Sequence, residues 1–159
     1  MPRTLSLTGR GEIRVAPDMA IVSIGVLSQS ATAAEALSAN TAAMQSIFST
    51  LKSAGIEDKD LQTSNFMVQP RYQYNNEGKP PRLDGYDVSN NVSVVVRNLD
   101  SLGAVLDRAV SAGSNQINGI QSQVSKPEAA MDEARKLAGE DAARKARVYA
   151  VAGNVTLGD

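Results

Sequence analysis

Apolar and polar positions alternate at the start of the chain and then change period. From Thr4 to Leu7 and again from Glu12 to Val15 the alternation is that of short strands, interrupted by Gly9-Arg10-Gly11, which suits a bulge or turn between them. Pro17-Asp18 punctuates the chain, and Met19 to Ser30 resumes the period of two. Ala20, Val22, Ile24 and Val26 fall on one face, with Ile21, Ser23, Gly25 and Leu27 on the other. One face is therefore predicted to be inward and the other half polar.

Thr32-Ala33-Ala34-Glu35 fits a capping box and predicts a helix start. Leu37, Met44, Ile47, Phe48 and Leu51 form its apolar stripe, and Gly55-Ile56 reads as a Schellman stop in which Ile56 folds back toward Leu51. Leu61 to Tyr74 has no helical period. Phe66, Val68, Pro70, Tyr72 and Tyr74 share one parity, and Pro70 places this strand at a sheet edge, where a missing amide does no harm. Asn75-Asn76-Glu77-Gly78-Lys79-Pro80-Pro81 is the clearest loop signal. Tyr86 to Arg97 follows as the returning strand of a long hairpin, with Val88, Val92, Val94 and Val96 in register.

Asn98 is placed to cap a second helix lined by Leu99, Leu102, Val105, Leu106, Ala109 and Val110 and ended by Gly113. Ile117 to Ser125 reads as a strand with Ile120 and Val124 inward. Pro127 then opens a long Ala-rich helix reaching about Ala152. Asp132 with Lys136, Glu140 with Arg144 and Asp141 with Lys145 have the favourable i,i+4 order, while Ala134, Ala138 and Ala142 make a face small enough to lie close on a sheet. Val155-Thr156-Leu157 reads as the opening of another strand. The order ββαββαβα predicts an α+β fold, a two-layer domain with a mainly antiparallel sheet and helices packed on one face, spanning 1–159 as a single domain.

Composition narrows the chemistry. The 159 residues include no His and no Cys, which removes the usual neutral-pH base, thiol nucleophiles, disulfides and the common transition-metal ligands. Charge is balanced at 16 basic and 17 acidic side chains, so no basic face invites nucleic acid, and the absence of Trp leaves few stacking platforms. No apolar run reaches the length of a membrane span, and no hydrophobic leader opens the sequence, as expected of a cytoplasmic protein or a processed exported one.

The remaining candidates are sparse. Gly9-Arg10-Gly11 lacks the third glycine and the following helix of a dinucleotide loop. Glu57-Asp58-Lys59-Asp60 lacks the spacing of a calcium loop and reads as a solvated turn. Asp84 and Asp87 form a carboxylate pair at a loop exit with no apolar pocket in sequence to separate their pKa values. Arg144, Lys145 and Arg147 are explained by a helix C-terminus. Tyr72, Tyr74 and Tyr86 read as cross-strand packing or as a contact patch between subunits. No catalytic residue, cofactor site or metal site is expected.

An ordered set of phrases carries a resemblance: Gly9-x-Gly11, Pro17-Asp18, Gly55-Ile56, Asp60 with Thr63, Pro70-x-Tyr72, Gly85-Tyr86, Asn115-x-Ile117, Ala134-Arg135 and Lys145-Ala146. In this order and spacing the chain resembles the SIMPL-domain family, also called DUF541. The resemblance implies a periplasmic or secreted, non-enzymatic protein made with a cleaved signal peptide. It also implies self-assembly into large homo-oligomeric rings and a part in envelope or oxidative-stress defence. Members continue past Leu157-Gly158 with a further strand-forming segment, so the chain is expected to lack one. The family phrases are expected to be structural, with glycines at turns, Pro17-Asp18 at a strand start and Gly85-Tyr86 at the hairpin return. The alternative is a small-ligand or peptide-binding module that uses an open sheet edge.

Overall fold

A computed structural model describes residues 3–158. The chain divides into two compact units, residues 17–123 and the terminal stretches 1–16 with 124–159.

The first unit is a four-stranded antiparallel sheet built from β1 (Met19–Ser30), β2 (Leu61–Gln73), β3 (Arg82–Val96) and β4 (Gln116–Gln123), in the spatial order β2-β3-β1-β4. Helix α1 (Ala33–Ser53) connects β1 to the β2–β3 hairpin, and α2 (Leu102–Ser111) connects that hairpin to β4. Cross-strand partners share a face. The pairs Val22↔Val94 and Ile24↔Val92 therefore put the buried valines and isoleucine together, and Met44, Ile47 and Leu51 of α1 with Val105 and Ala109 of α2 close the core over them. Two layers with helices on one face follow from that packing, as the alternation predicts. The opposite face carries Ser23, Ser93, Asn91, Gln69 and Gln62, also as expected.

Local signals are realised in detail. Thr32 Oγ1 accepts from the Glu35 amide at 3.2 Å. At the far end of α1, Gly55 adopts φ +93° while the Ile56 amide donates to Leu51 O at 3.1 Å, the predicted Schellman closure. The buried face of α1 differs from the predicted stripe: it runs Ala36, Asn40, Met44, Ile47, Leu51, and Leu37 is 41% exposed. Short residues are absent from the predicted stripe, yet a helix lying close on a sheet accommodates a small side chain such as Ala36 or one that bonds to the strands, as Asn40 Nδ2 does to Val26 O and Val88 O. Val110 and Ile120, both expected inward, stand 52% and 51% exposed. Ile120 shares the helix-side face with Val22, but β4 is the sheet's outer strand and α1 and α2 pack over the central strands. Two further connections carry short 3₁₀ turns, Asp58–Asp60 and Leu99–Ser101, the second capped by Asn98 Oδ1 accepting from the Asp100 amide at 3.1 Å.

The second unit contains α3 (Glu128–Ala152), preceded by Pro127 as its cap residue, and the N-terminal segment laid along it. Thr4 to Leu7 and Glu12 to Val15 do not form the predicted strand pieces: residues 3–18 enter no sheet ladder among the described residues. The side chains still alternate, with Leu7, Gly9, Gly11 and Ile13 half-buried. Gly9 and Gly11 are not turn residues. A Cβ on Gly9 would strike Ala138 O, and one on Gly11 would strike Ala134 O. The alanine face of α3 thus receives the N-terminal segment where a sheet was predicted. Absence of a side chain at positions 9 and 11 is what lets the backbone come so near.

Candidate functional site

The long hairpin pairs an exposed strand, β2, with a largely buried one, β3. β2 lies at the sheet edge and is solvent-exposed along nearly its whole length, on both faces. Its alternation, which would bury one side in a covered strand, here leaves Phe66 52%, Val68 42% and Tyr72 47% exposed, with Met67 at 42% on the other face. Pro70 stands opposite Tyr86 and Tyr72 opposite Leu83, itself 48% exposed. Tyr86 is partly buried between Pro70 and Ser30, and Tyr74, past the strand end, is 76% exposed. Of the three tyrosines singled out from sequence, Tyr72 and Tyr74 present open surface and Tyr86 is mainly strand packing. Phe66, Val68 and Leu83 belong to the same surface and were not singled out; their parity with Tyr72 was the available signal.

Gly85 is not at the hairpin return, which lies in residues 74–81. It sits at a bulge where Asp84 is the extra residue between the pairs Arg71↔Gly85 and Tyr72↔Leu83. Its φ is +125°, and a Cβ there would lie 2.6 Å from Ser30 O. The bulge turns Asp84 and Asp87 toward Arg71. The Arg71 guanidinium meets Asp87 Oδ1 at 2.7 Å and Asp84 Oδ2 at 3.5 Å, and donates to Asp84 O at 3.0 Å. Two acids that read as a candidate acid/base pair are held by one arginine, and that arginine was the part missed.

The acidic turn is likewise consumed by cations. Asp58 pairs with Lys52 at 2.8 Å and Glu57 with Lys59 at 3.1 Å. Asp60 is 6% exposed and accepts a two-pronged contact from Arg97, Nε to Oδ2 and Nη2 to Oδ1, both at 2.9 Å. The Arg97 hydrogen bonds hold the Asp60 carboxyl below its ordinary pKa against the opposing effect of burial, and Asp60 in turn raises Arg97. Thr63, three residues on, opposes Val92 just before a bulge in β2. These motif residues anchor the start of the hairpin.

Sheet polar groups are also structural. Asn115 stands in for a missing strand residue: its Oδ1 accepts from Leu27 N and its Nδ2 donates to Leu27 O, each at 2.8 Å. Asn118 Nδ2 donates to Asn91 Oδ1 at 3.0 Å, and a Cβ on Gly25 would strike that same oxygen. Ahead of β1, Pro17 precedes Asp18, whose amide donates to Gln123 O at 3.0 Å.

In the second unit Asp141 is the hub. It accepts from the Arg10 amide at 2.9 Å, meets Lys145 at 2.8 Å and receives Arg144 Nη2 at 2.9 Å. The Lys145 hydrogen bond, then the Arg10 amide and Arg144, hold its carboxyl far below the usual carboxylate range. Lys145 also donates to Thr8 O at 3.0 Å. Arg144 therefore meets Asp141 rather than the predicted Glu140, and Asp132 pairs with Arg135 at 2.7 Å rather than with Lys136. At i,i+3 the planar arginine head reaches the acid across one turn. Ala134 underlies Gly11, and Ala146 lines a shallow depression with Leu5 and Leu7. No helix among the described residues is long and apolar enough to cross a membrane.

Comparison with known proteins matches residues 5–159 to SIMPL, described as a protein of unknown function (DUF541). The chain is similar to the 26 kDa periplasmic immunogenic protein of Brucella melitensis biotype 1, 42% identical over 160 residues, covering 99% of this chain and 64% of that protein. It is also similar to the uncharacterized protein YggE of Edwardsiella ictaluri, 34% identical over 151 residues, and of Escherichia coli K12, 34% identical over 143. Coverage is 95% of this chain and 63% of the first of these, and 90% and 57% for the second. The chain thus spans somewhat under two thirds of the length of these relatives, whose names describe an antigen and uncharacterized proteins rather than enzymes. With the motif phrases distributed through both compact units and matched from end to end, the chain belongs to the SIMPL (DUF541) family.

Proposed function

We propose that the protein is a non-enzymatic periplasmic or secreted assembly component that builds a large homo-oligomer through the β2–β3 hairpin. The observation that carries this reading is the long, apolar outer edge of β2. Sheet edges in monomers are guarded by charge, by brevity, by proline or bulges, or by a covering element. β2 is 13 residues long, its one charged residue, Arg71, is engaged by Asp84 and Asp87, its only guards are Pro70 and the bulge after Thr63, and Phe66, Val68 and Tyr72 on one face are open to solvent. Contiguous apolar surface of this kind marks an interaction site. A periplasmic location is supported by the printed name of the Brucella relative. The family match running from residue 5 to 159 supports treating the two units as one SIMPL-like domain. Envelope or oxidative-stress defence is the role the family resemblance implies for it.

Size exclusion with light scattering tests the assembly. The unmodified chain is expected to run as a multimer and Phe66→Lys with Val68→Glu as a smaller species that keeps the same far-ultraviolet circular dichroism, because both side chains are exposed within one chain. A strictly monomeric unmodified chain at tens of micromolar overturns the proposal. The same free edge supports a second reading, capture of an extended peptide by β-augmentation. Thermal shift against extended peptides, peptidoglycan fragments and divalent ions separates the two, since a capture module is stabilised by one of them while an assembly interface is not.

A further inference from the structure

We propose that Asn118 is a self-modification site, an asparagine that deamidates through the amide of Gly119 and in doing so releases the outer strand β4. Asn118-Gly119 is the sole Asn-Gly pair in the sequence. It falls where the β1–β4 ladder breaks: Val22 pairs with Ile120 and Ile24 with Ile117, so Asn118 and Gly119 together oppose the single residue Ser23. Neither has a cross-strand partner in that register. Both are exposed, β4 is an outer strand, and Gly119 has φ +133° with open space where a Cβ would stand. The attacking amide thus belongs to a residue with no side chain in the way and no place in the regular ladder.

The reaction balances without a cofactor. The Gly119 amide nitrogen loses its proton to solvent base and attacks Asn118 Cγ. The new C–N bond forms as the Cγ–Nδ2 bond breaks, and ammonia leaves with a proton taken from solvent. Water then opens the cyclic imide. Cleavage of the bond to Cγ gives aspartate, and cleavage of the bond to the main-chain carbonyl gives isoaspartate, with one added backbone atom accommodated in a bulge that already holds an extra residue. Either product replaces a neutral amide by a carboxylate.

That exchange acts on a specific contact. Asn118 Nδ2 is the donor to Asn91 Oδ1, and Asn91 is 8% exposed. After the reaction Asn118 can no longer donate, so the Asn91 Oδ1 loses its partner and the contact survives only if the Asn91 amide turns over beside Gly25, where its Oδ1 already fills the space a Cβ would take. The sequence holds an internal contrast in Asp84-Gly85, which also sits at a bulge with a positive-φ glycine. There the carboxylate is held by Arg71 and Gly85 is buried, so the same ring closure is hindered.

Incubation of the whole chain in mildly alkaline buffer, followed by peptide mass mapping and labelling with an isoaspartyl methyltransferase, tests the site. A mass gain of about one unit together with methyl acceptance is expected at Asn118, at a rate within about tenfold of a synthetic peptide of residues 116–121. Asn118→Gln, which would need a larger ring, is expected to abolish both signals, and Asp84 is expected to stay unlabelled. A protein that converts more than about a hundredfold slower than the peptide overturns the site, as does a gain mapping to other asparagines alone. Release of β4 is read separately. Amides of residues 116–123 in Asn118→Asp are expected to exchange about tenfold faster than in Asn118→Gln while α1 is unchanged, and equal exchange in the two variants refutes the release.

Discussion

Asn40 offers the sharpest test of how the core is held. It sits on the buried face of α1 at 1% exposure, and its Nδ2 donates to Val26 O at 3.0 Å and Val88 O at 3.1 Å, tying the helix to β1 and β3 at once. Asn40→Asp keeps the size and replaces the donor by an oxygen. When protonated, the new carboxyl can donate to one of the two carbonyls, so the loss is one buried hydrogen bond, about 1 kcal/mol. When ionised it faces two carbonyl oxygens without water. Burial raises a carboxyl by about 3–5 pKa units, above the unfolded value near 3.9, and each unit is worth about 1.36 kcal/mol. The sign follows from the raised folded pKa. The additional loss is absent below about pH 3.9 and grows as pH rises toward the folded value, reaching about 4 kcal/mol by neutrality for a 3-unit shift. For a chain of this length 1 kcal/mol moves the melting temperature by about 2–4 °C, so the deficit of the variant relative to the unmodified chain should widen by about 8–16 °C between about pH 4 and about pH 8. Asn40→Ala removes the same bonds without adding a charge, and its deficit should not change with pH. A constant deficit for Asn40→Asp, or one that narrows as pH rises, refutes the account of Asn40 as a buried donor between two strands.

Three further outcomes are expected. Gly9→Val or Gly11→Val drives a side chain into the α3 backbone at Ala138 or Ala134; a loss of about 1–3 kcal/mol and faster amide exchange across residues 5–13, with β1 to β4 unaffected, are expected by hydrogen exchange. Gly139 and Gly103, within α3 and α2, have open space where a Cβ would stand, so Gly139→Ala and Gly103→Ala should each stabilise by about 0.5–1 kcal/mol in urea unfolding; destabilisation would show that the backbone there is more constrained than described. Arg97→Ala leaves Asp60 buried without its partner and should cost about 1–3 kcal/mol at pH 7; because the Asp60 pKa is depressed in the folded chain, the gap to the unmodified chain is present above about pH 3.9 and should close as pH falls through the lower folded value.

What could be read from the sequence divides by the range of the interaction. Thr32, Gly55, Asn98 and Pro70 act through their own or adjacent backbone groups, so their residue types alone located helix ends and an edge strand. The core face followed from parity in Val22, Ile24, Val92 and Val94, whereas the sheet order β2-β3-β1-β4 did not. The misses are long-range. Arg97 is 37 residues from Asp60 and Arg10 is 131 from Asp141, and nothing local distinguishes these partners from other charges. Asn40 is absent from a stripe read for hydrophobicity alone, whereas the strand carbonyls beneath it call for a donor. The N-terminal segment has strand chemistry without a ladder because alternation specifies which side faces in. It does not specify whether another strand or a helix receives it. Gly9 and Gly11 were visible, but a glycine signals a turn and a close approach in the same letter.

The exposed hairpin also makes a claim about the physics of association. Arg71 is paired with Asp84 and Asp87, which leaves Arg82, opposite Gln73 at the open end of the hairpin, as the charge beside β2 without an ion pair among the described residues, so an interface along Phe66 to Tyr72 has little unsatisfied charge to offer. What it does offer is Phe66, Val68, Tyr72 and Leu83 on an outer strand whose ladder edge is interrupted at Pro70. Apolar burial strengthens with excluded salts such as sulfate and weakens on cooling, whereas attraction between exposed charges fades beyond a Debye length of about 8 Å at physiological ionic strength. Multimer fraction measured by light scattering should therefore be insensitive to sodium chloride, rise in sodium sulfate and fall in the cold. Dissociation by moderate sodium chloride would place the contact on a charged surface instead, and the hairpin would then have to be explained by something other than assembly.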